Sequence, residues 1–260
     1  MKTKNFICMS KKGQVTLFII IAIVIVGLAV LLYQVIPRTS TTVSGGADNP
    51  QGFLETCLKE HVEETVKTIS LQGGNFEPEL SILYQSNEIS YLCYTSENFK
   101  LCSNQQPLLK RHVESEIKEN IESKAETCFR QMKTSFDDRG YNAVLSEGVT
   151  RVELLPKRVV ASFDNYRLTL TKGETETHES FNVILNNNLY EFVGITNSIL
   201  SWESLYGDAE TTTYMTYYRD LKVEKHKQQD GSTIYILTDR NTENKFQFAS
   251  RSNAGSPGLI

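Results

Sequence analysis

Apolar and polar positions alternate with different periods along this chain, and the first stretch has no period at all. Residues 15–35 are almost continuously apolar and carry no ionised group, and Lys2, Lys4, Lys11 and Lys12 precede them. A helix needs about 20 such residues to cross a hydrocarbon core of ~30 Å. The run therefore predicts a transmembrane helix over 15–36. The near C-terminal flank offers only Arg38, so the positive-inside bias places residues 1–14 in the cytoplasm and the rest beyond the membrane.

From there the pattern is that of a water-soluble head. Residues 37–49 are rich in Thr, Ser and Gly and read as a flexible linker. Asn49-Pro50 has the form of a helix cap followed by proline at the first helical position. Leu54, Leu58, Val62, Val66 and Ile69 then recur at helical spacing, predicting a helix over 50–71 that Gly73-Gly74 ends. Extended runs follow at 80–84 and 89–93, with a possible further arm at 99–102. Pro107 opens the longest stripe, running from Leu109 through Val113, Ile117, Ile121, Ala125, Cys128 and Met132 to Phe136, and Gly140 is its stop. Residues 50–140 are thus mainly helical with a hairpin.

Period-two alternation and β-branched residues take over at 149–155, 158–163, 166–171 and 175–185. This region predicts an antiparallel meander whose apolar face packs on the two helices. A helix over 189–205 and a helical stretch over 209–219 come next. Tyr214, Tyr217 and Tyr218 in the latter are expected to dock on the sheet, with stacking on a sugar or an interface as the alternative. A hairpin pairs 221–227 with 233–238 around Gln229-Asp230-Gly231, and 246–249 is a possible third strand. The strand-rich part runs over 149–251, and 252–260 reads as a frayed tail. The fold class expected is α+β: one N-terminal transmembrane helix, then an ectodomain (50–251) of amphipathic helices packed on an antiparallel sheet.

Charge and cysteines narrow the setting. The formal net charge is −4 with 22% charged residues. Phosphate binding needs clustered Lys and Arg, so a mildly acidic head argues against a nucleic-acid partner. Cys8 precedes the apolar run, whereas Cys57, Cys93, Cys102 and Cys128 all follow it. Four cysteines in an oxidising compartment suggest two disulfides. The favoured pairing is Cys93–Cys102, across a hairpin-like turn, with Cys57–Cys128, each on or beside the apolar face of a helix. A zinc site and four unpaired buried thiols are the alternatives; no Cys-x-x-Cys pair is present. No Asn-x-Ser/Thr signal occurs either.

Lys11-Lys12-Gly13-Gln14 directly before the apolar run resembles the start of archaeal type IV pilin-like precursors, and KKGQVTLFIII is also similar to the starts of archaeal single-pass surface proteins. The pilin resemblance covers only about the first 36 residues. It implies peptidase processing between Gly13 and Gln14 and assembly into filaments. The chain departs from that family in carrying Phe18 where a Glu is usual, and in the break at Pro37 and the residues after it.

Candidate chemistry adds little. No two of His61, His112, His178 and His226 lie three or four residues apart, no HExxH occurs, and no nucleotide-binding or hydrolase motif is present. Glu153 and Asp164 read as solvated surface, and 174–178 (ETETH) as a guarded strand edge. No catalytic residue, metal site or cofactor is expected. The expectation is a membrane-anchored extracytoplasmic protein with a structural, assembly or binding role. It meets the lipid bilayer through 15–36 and protein partners or copies of itself at the cell surface. A pilin-like filament subunit and an anchored envelope hydrolase are the alternatives.

Overall fold

Two long helices, each buried along one stripe, organise the molecule. The computed structural model describes residues 49–255 together with Ile21 and Ile25. Helix α1, Pro50–Leu71, begins where the Asn49 side chain accepts the Gln51 N–H at 3.1 Å, with Pro50 in the first turn. Its end is closed by the Gly74 N–H donating to the Ile69 carbonyl at 2.9 Å. Helix α2, Leu109–Asp138, lies antiparallel to it: the Cys57–Cys128 bridge joins them near one end, and a Cβ on Gly74 would meet Val113 near the other. Leu58, Val62, Val66 and Ile69 meet Val113, Ile117, Ile121 and Ala125 in one core.

The strands are β1 (Ser81–Tyr84), β2 (Asn87–Tyr94), β3 (Ser103–Asn104), β4 (Asn142–Ser146), β5 (Val149–Leu155) and β6 (Arg158–Asp164). They continue with β7 (Arg167–Lys172), β8 (Glu174–His178), β9 (Phe181–Asn186), β10 (Leu221–Lys227), β11 (Thr233–Asp239) and β12 (Lys245–Arg251). Helices α3 (Leu189–Tyr206) and α4 (Thr212–Tyr217) stand between β9 and β10.

One sheet has the order β1-β2-β12-β11-β10, with β3 added on β2. Strand β12 is antiparallel to β11 but parallel to β2. The other two sheets, β4-β7-β8 and β5-β6-β9, are halves of one bent meander. Leu155 pairs with Arg158, Val149 with Asp164, Ser146 with Arg167 and Asn142 with Thr171, so the register continues unbroken from β5–β6 into β4–β7. Two devices make the bend. Gly148 comes so close to the opposite strand that a Cβ there would lie 2.1 Å from the Asp164 carbonyl. Asn165 takes a left-handed φ of 63°, which Asn tolerates better than most residues. The bend turns Tyr166 inward to stack on Phe129 with ring centroids 4.1 Å apart, while Phe163 and Phe181 meet the same ring edge-on. Both halves pack on α2, and the Gln51 side chain on α1 pairs with the backbone of Asn182, extending the β9 edge.

The expected fold class needs correcting on two points. The single antiparallel sheet is three sheets, one of them containing a parallel pair. The pairing partner of β12 on that side is a strand from the first half of the chain, which no local turn signal encodes. As for the transmembrane helix, among the described residues no helix is long and apolar enough to cross a membrane. Helices α1 and α2 are long but carry a charged face. The stretch 15–36 lies outside the described residues except for Ile21 and Ile25, both helical. Residues 1–14 and 37–48 lie outside them too, with Cys8, Gly13 and Gln14. At the other end, Ser252 and Ala254 are buried and the Asn253 N–H donates to the Lys100 carbonyl, so the expected fraying does not begin at 252.

Candidate functional site

Where α3 leaves β9, the chain builds an open groove of about 1230 Å³. Its floor is the outer face of α3, at Gly194 and Ser198; its walls come from α4, the turn after β11 and the turn between β5 and β6. The triple asparagine 186–188 shapes the entry. Asn187 caps α3, its Oδ1 accepting the Leu189 N–H at 2.9 Å. Asn188 instead reaches across to the β11–β12 turn. Its Nδ2 donates to Asp239 at 3.2 Å, and its Oδ1 accepts from Thr242 and Asn244, each at 3.0 Å. Asp239 in turn accepts the Asn241 and Thr242 N–H groups at 2.9 Å. One wall is therefore held rigid by a closed network.

The aromatic lining is exposed. Tyr217 is 78% and Tyr218 56% accessible, and Tyr190 is 39% accessible beneath the Lys110 ammonium, 5.6 Å from its ring centre. Of Tyr214, Tyr217 and Tyr218, all expected to dock on the sheet, only Tyr214 packs against the core. That ring is partly buried, and its hydroxyl meets Ser198 Oγ at 2.7 Å, tying α4 to α3. With only six residues, α4 has no second turn on which to bury its other rings.

Gly194 is the least expected residue here. Glycine inside a helix costs about 1 kcal/mol relative to Ala. Yet a Cβ at this position would meet nothing within 4 Å, so no neighbour in the fold demands the vacancy. The missing side chain keeps the groove floor low. The lining carries Lys110, Lys157 and Arg219 against Glu191, Asp220 and Asp239, and so has no net formal charge. Glu191 accepts the Lys157 N–H at 3.0 Å.

A second constellation lies deeper. Glu203, 2% exposed near the end of α3, accepts at one carboxylate oxygen from the Tyr235 hydroxyl and the Ala209 N–H, and at the other from Ser250 Oγ at 2.9 Å. Ser252 Oγ donates to the Glu203 carbonyl and accepts the Cys102 N–H. Burial first, and then the Glu203 charge, push the Tyr235 phenol well above the usual tyrosine range. Each of these side chains has its hydrogen-bond partner and Glu203 is buried, so the cluster locks α3 to the six-stranded sheet.

The cysteine candidates lie apart from the groove's floor. Cys57–Cys128 bridges α1 and α2, and Cys93–Cys102 closes the loop between β2 and β3. The histidines are scattered: His61 meets the Asn120 carbonyl at 3.2 Å, His112 meets Asn75 at 2.8 Å, His178 lies beside Glu176, and His226 packs near Tyr84. Among the described residues no three His, Cys, Asp or Glu side chains are grouped to hold a metal ion. Asp164 pairs with Arg151 at 3.4 Å, and 174–178 forms the exposed edge strand β8. The periodicity of 189–205 places Tyr190 near the buried side of α3, whereas it is 39% exposed; Gly194, Lys110 and Asn241 carried no signal in the sequence. The run of three asparagines before a helix was the one local signal for the entry. No family model, no curated protein and no solved structure matches this chain.

Proposed function

We propose that the body formed by 49–255 is a binding module that works outside the cytoplasm and engages its ligand in the groove over α3. The observation that carries this reading is the pairing of solvent-facing Tyr217 and Tyr218 with a floor lowered at Gly194. Both features cost the fold something and return no packing, as expected of residues kept for contact with another molecule. The rigid Asn188–Asp239 wall supports it, because a preorganised site loses less entropy on binding. The two disulfides support the oxidising compartment.

The test is retention on cell envelopes of the source organism. Wild-type protein is expected to be retained, and Tyr217→Ala/Tyr218→Ala to lose retention about tenfold, or about 1.4 kcal/mol, with an unchanged melting temperature. Equal retention of the two proteins, or none of either, overturns the reading.

A further inference from the structure

Resting on that reading, we infer that the groove takes a neutral oligosaccharide chain. Three observations select this chemistry. The first is the aromatic surface. Tyr217 and Tyr218 expose most of their surface to solvent rather than to the core, and Tyr190 exposes part of its own beside Lys110. An aromatic face carries negative quadrupole density, and it suits the weakly positive C–H face of a pyranose ring.

The second is the free hydrogen-bonding inventory. The side-chain amides of Asn197 and Asn241 line the groove and make no hydrogen bond to another described residue. Each offers a carbonyl acceptor beside an NH2 donor, a pairing that matches two neighbouring sugar hydroxyls, which both donate and accept. The Ser198–Tyr214 hydroxyl pair adds a third such point on the floor.

The third is charge. Three basic and three acidic side chains leave the lining neutral, so the groove has no net field to attract a polyanion such as a nucleic acid, a sulfated chain or an acidic peptide. An extended neutral peptide is usually read through main-chain bonds to a free strand edge. The floor here is a helix, whose backbone groups are already used internally, and the edge strands β9 and β10 reach the groove only at their end residues Asn186 and Leu221. The groove also exceeds the roughly 300–1,000 Å³ of a small-molecule pocket, and it is open along one side, so a chain of several sugars fits better than a single one.

The experiment is titration calorimetry of the 260-residue protein with neutral hexaoses of glucose, mannose, galactose and N-acetylglucosamine. At least one is expected to bind with Kd below about 1 mM. That binding should weaken at least about tenfold in Tyr217→Ala/Tyr218→Ala and change less than about twofold between 0.05 and 0.5 M salt, where exposed charge contacts are screened. No binding across the panel overturns the inference, as does binding that is lost in high salt. If the sugars fail while envelope retention still depends on Tyr217 and Tyr218, the sugar assignment falls and the binding module stands. Retention abolished by protease but not by periodate would then identify a protein ligand. If retention fails as well, both fall.

Discussion

Removing the Cys57–Cys128 bridge should cost more stability than removing Cys93–Cys102, although the latter is the more deeply buried. The two bridges close loops with sequence separations of 71 and 9. In the chain-entropy model the closed loop restricts the unfolded state by an amount that grows with the logarithm of its length. The values are about 4.4 kcal/mol for the long loop and about 2.6 kcal/mol for the short one. At about 2.1 cal/mol/K of unfolding entropy per residue, a body of roughly 210 residues should lose about 10 °C in melting temperature for the first and about 6 °C for the second. Alanine pairs are the right perturbation, because they remove each bridge without leaving free thiols in the core. Urea unfolding followed by circular dichroism gives both free energies. The folded spectrum should not change, since α1 and α2 also meet through Leu58, Val62, Val66 and their partners. A larger loss from Cys93→Ala/Cys102→Ala would refute loop closure as the dominant effect and point instead to the Cys102 Sγ contact with Ser250.

Glu203→Ala leaves the Tyr235 hydroxyl, the Ser250 hydroxyl and the Ala209 N–H without their buried acceptor; at about 1–3 kcal/mol for each orphaned group, a loss of at least about 3 kcal/mol is expected by denaturant unfolding, and one below about 1 kcal/mol would sink the lock. Tyr235 is held protonated in the fold, with burial the main cause, and burial raises Tyr91 and Tyr166 as well. Their folded values lie above the unfolded ones, so this contribution is complete below about pH 10 and declines as pH rises beyond it. Phenolate absorbance from these three should therefore appear together with loss of the circular dichroism signal; absorbance from all tyrosines before unfolding would contradict it. Gly194→Ala should stabilise the body by about 0.5–1 kcal/mol in a thermal melt while weakening envelope retention; unchanged or improved retention would mean the low floor serves no ligand.

Much of this architecture is legible in single-residue spacing. The stripes of α1 and α2 follow from apolar residues three and four apart, and the same stripes bring Cys57 and Cys128 face to face. Val149–Leu155 and the hairpin around Asp230-Gly231 are equally local. The bend in the meander is not. Asn165 reads as turn punctuation and Gly148 gives no local sign of a bend, yet the pairing register runs straight past both, so they kink the paired strands without shifting the register. The short strand β4 was not expected either, since no strand is read between Gly140 and Val149. Nor is the groove legible, because Lys110, Tyr190, Tyr218 and Asn241 come from four segments that meet only after folding. The tyrosines were assigned to the core because helical spacing does not distinguish a ring facing a sheet from one facing water.

Strand β12 carries a further consequence through its place between β2 and β11. Arg251, at its end, donates to the carbonyl of Thr95, 156 residues earlier. A ribosome adding about 5–20 residues per second needs roughly 8–30 s to cover that distance. Throughout that interval β2 has its hairpin partner β1 but an open edge on the side β12 will fill. The nascent chain must therefore emerge with a largely apolar strand paired along one edge only, because its partner on the other edge is made later. Order of birth and order of assembly are opposed, and truncation of even the final strand would leave the central sheet without its middle.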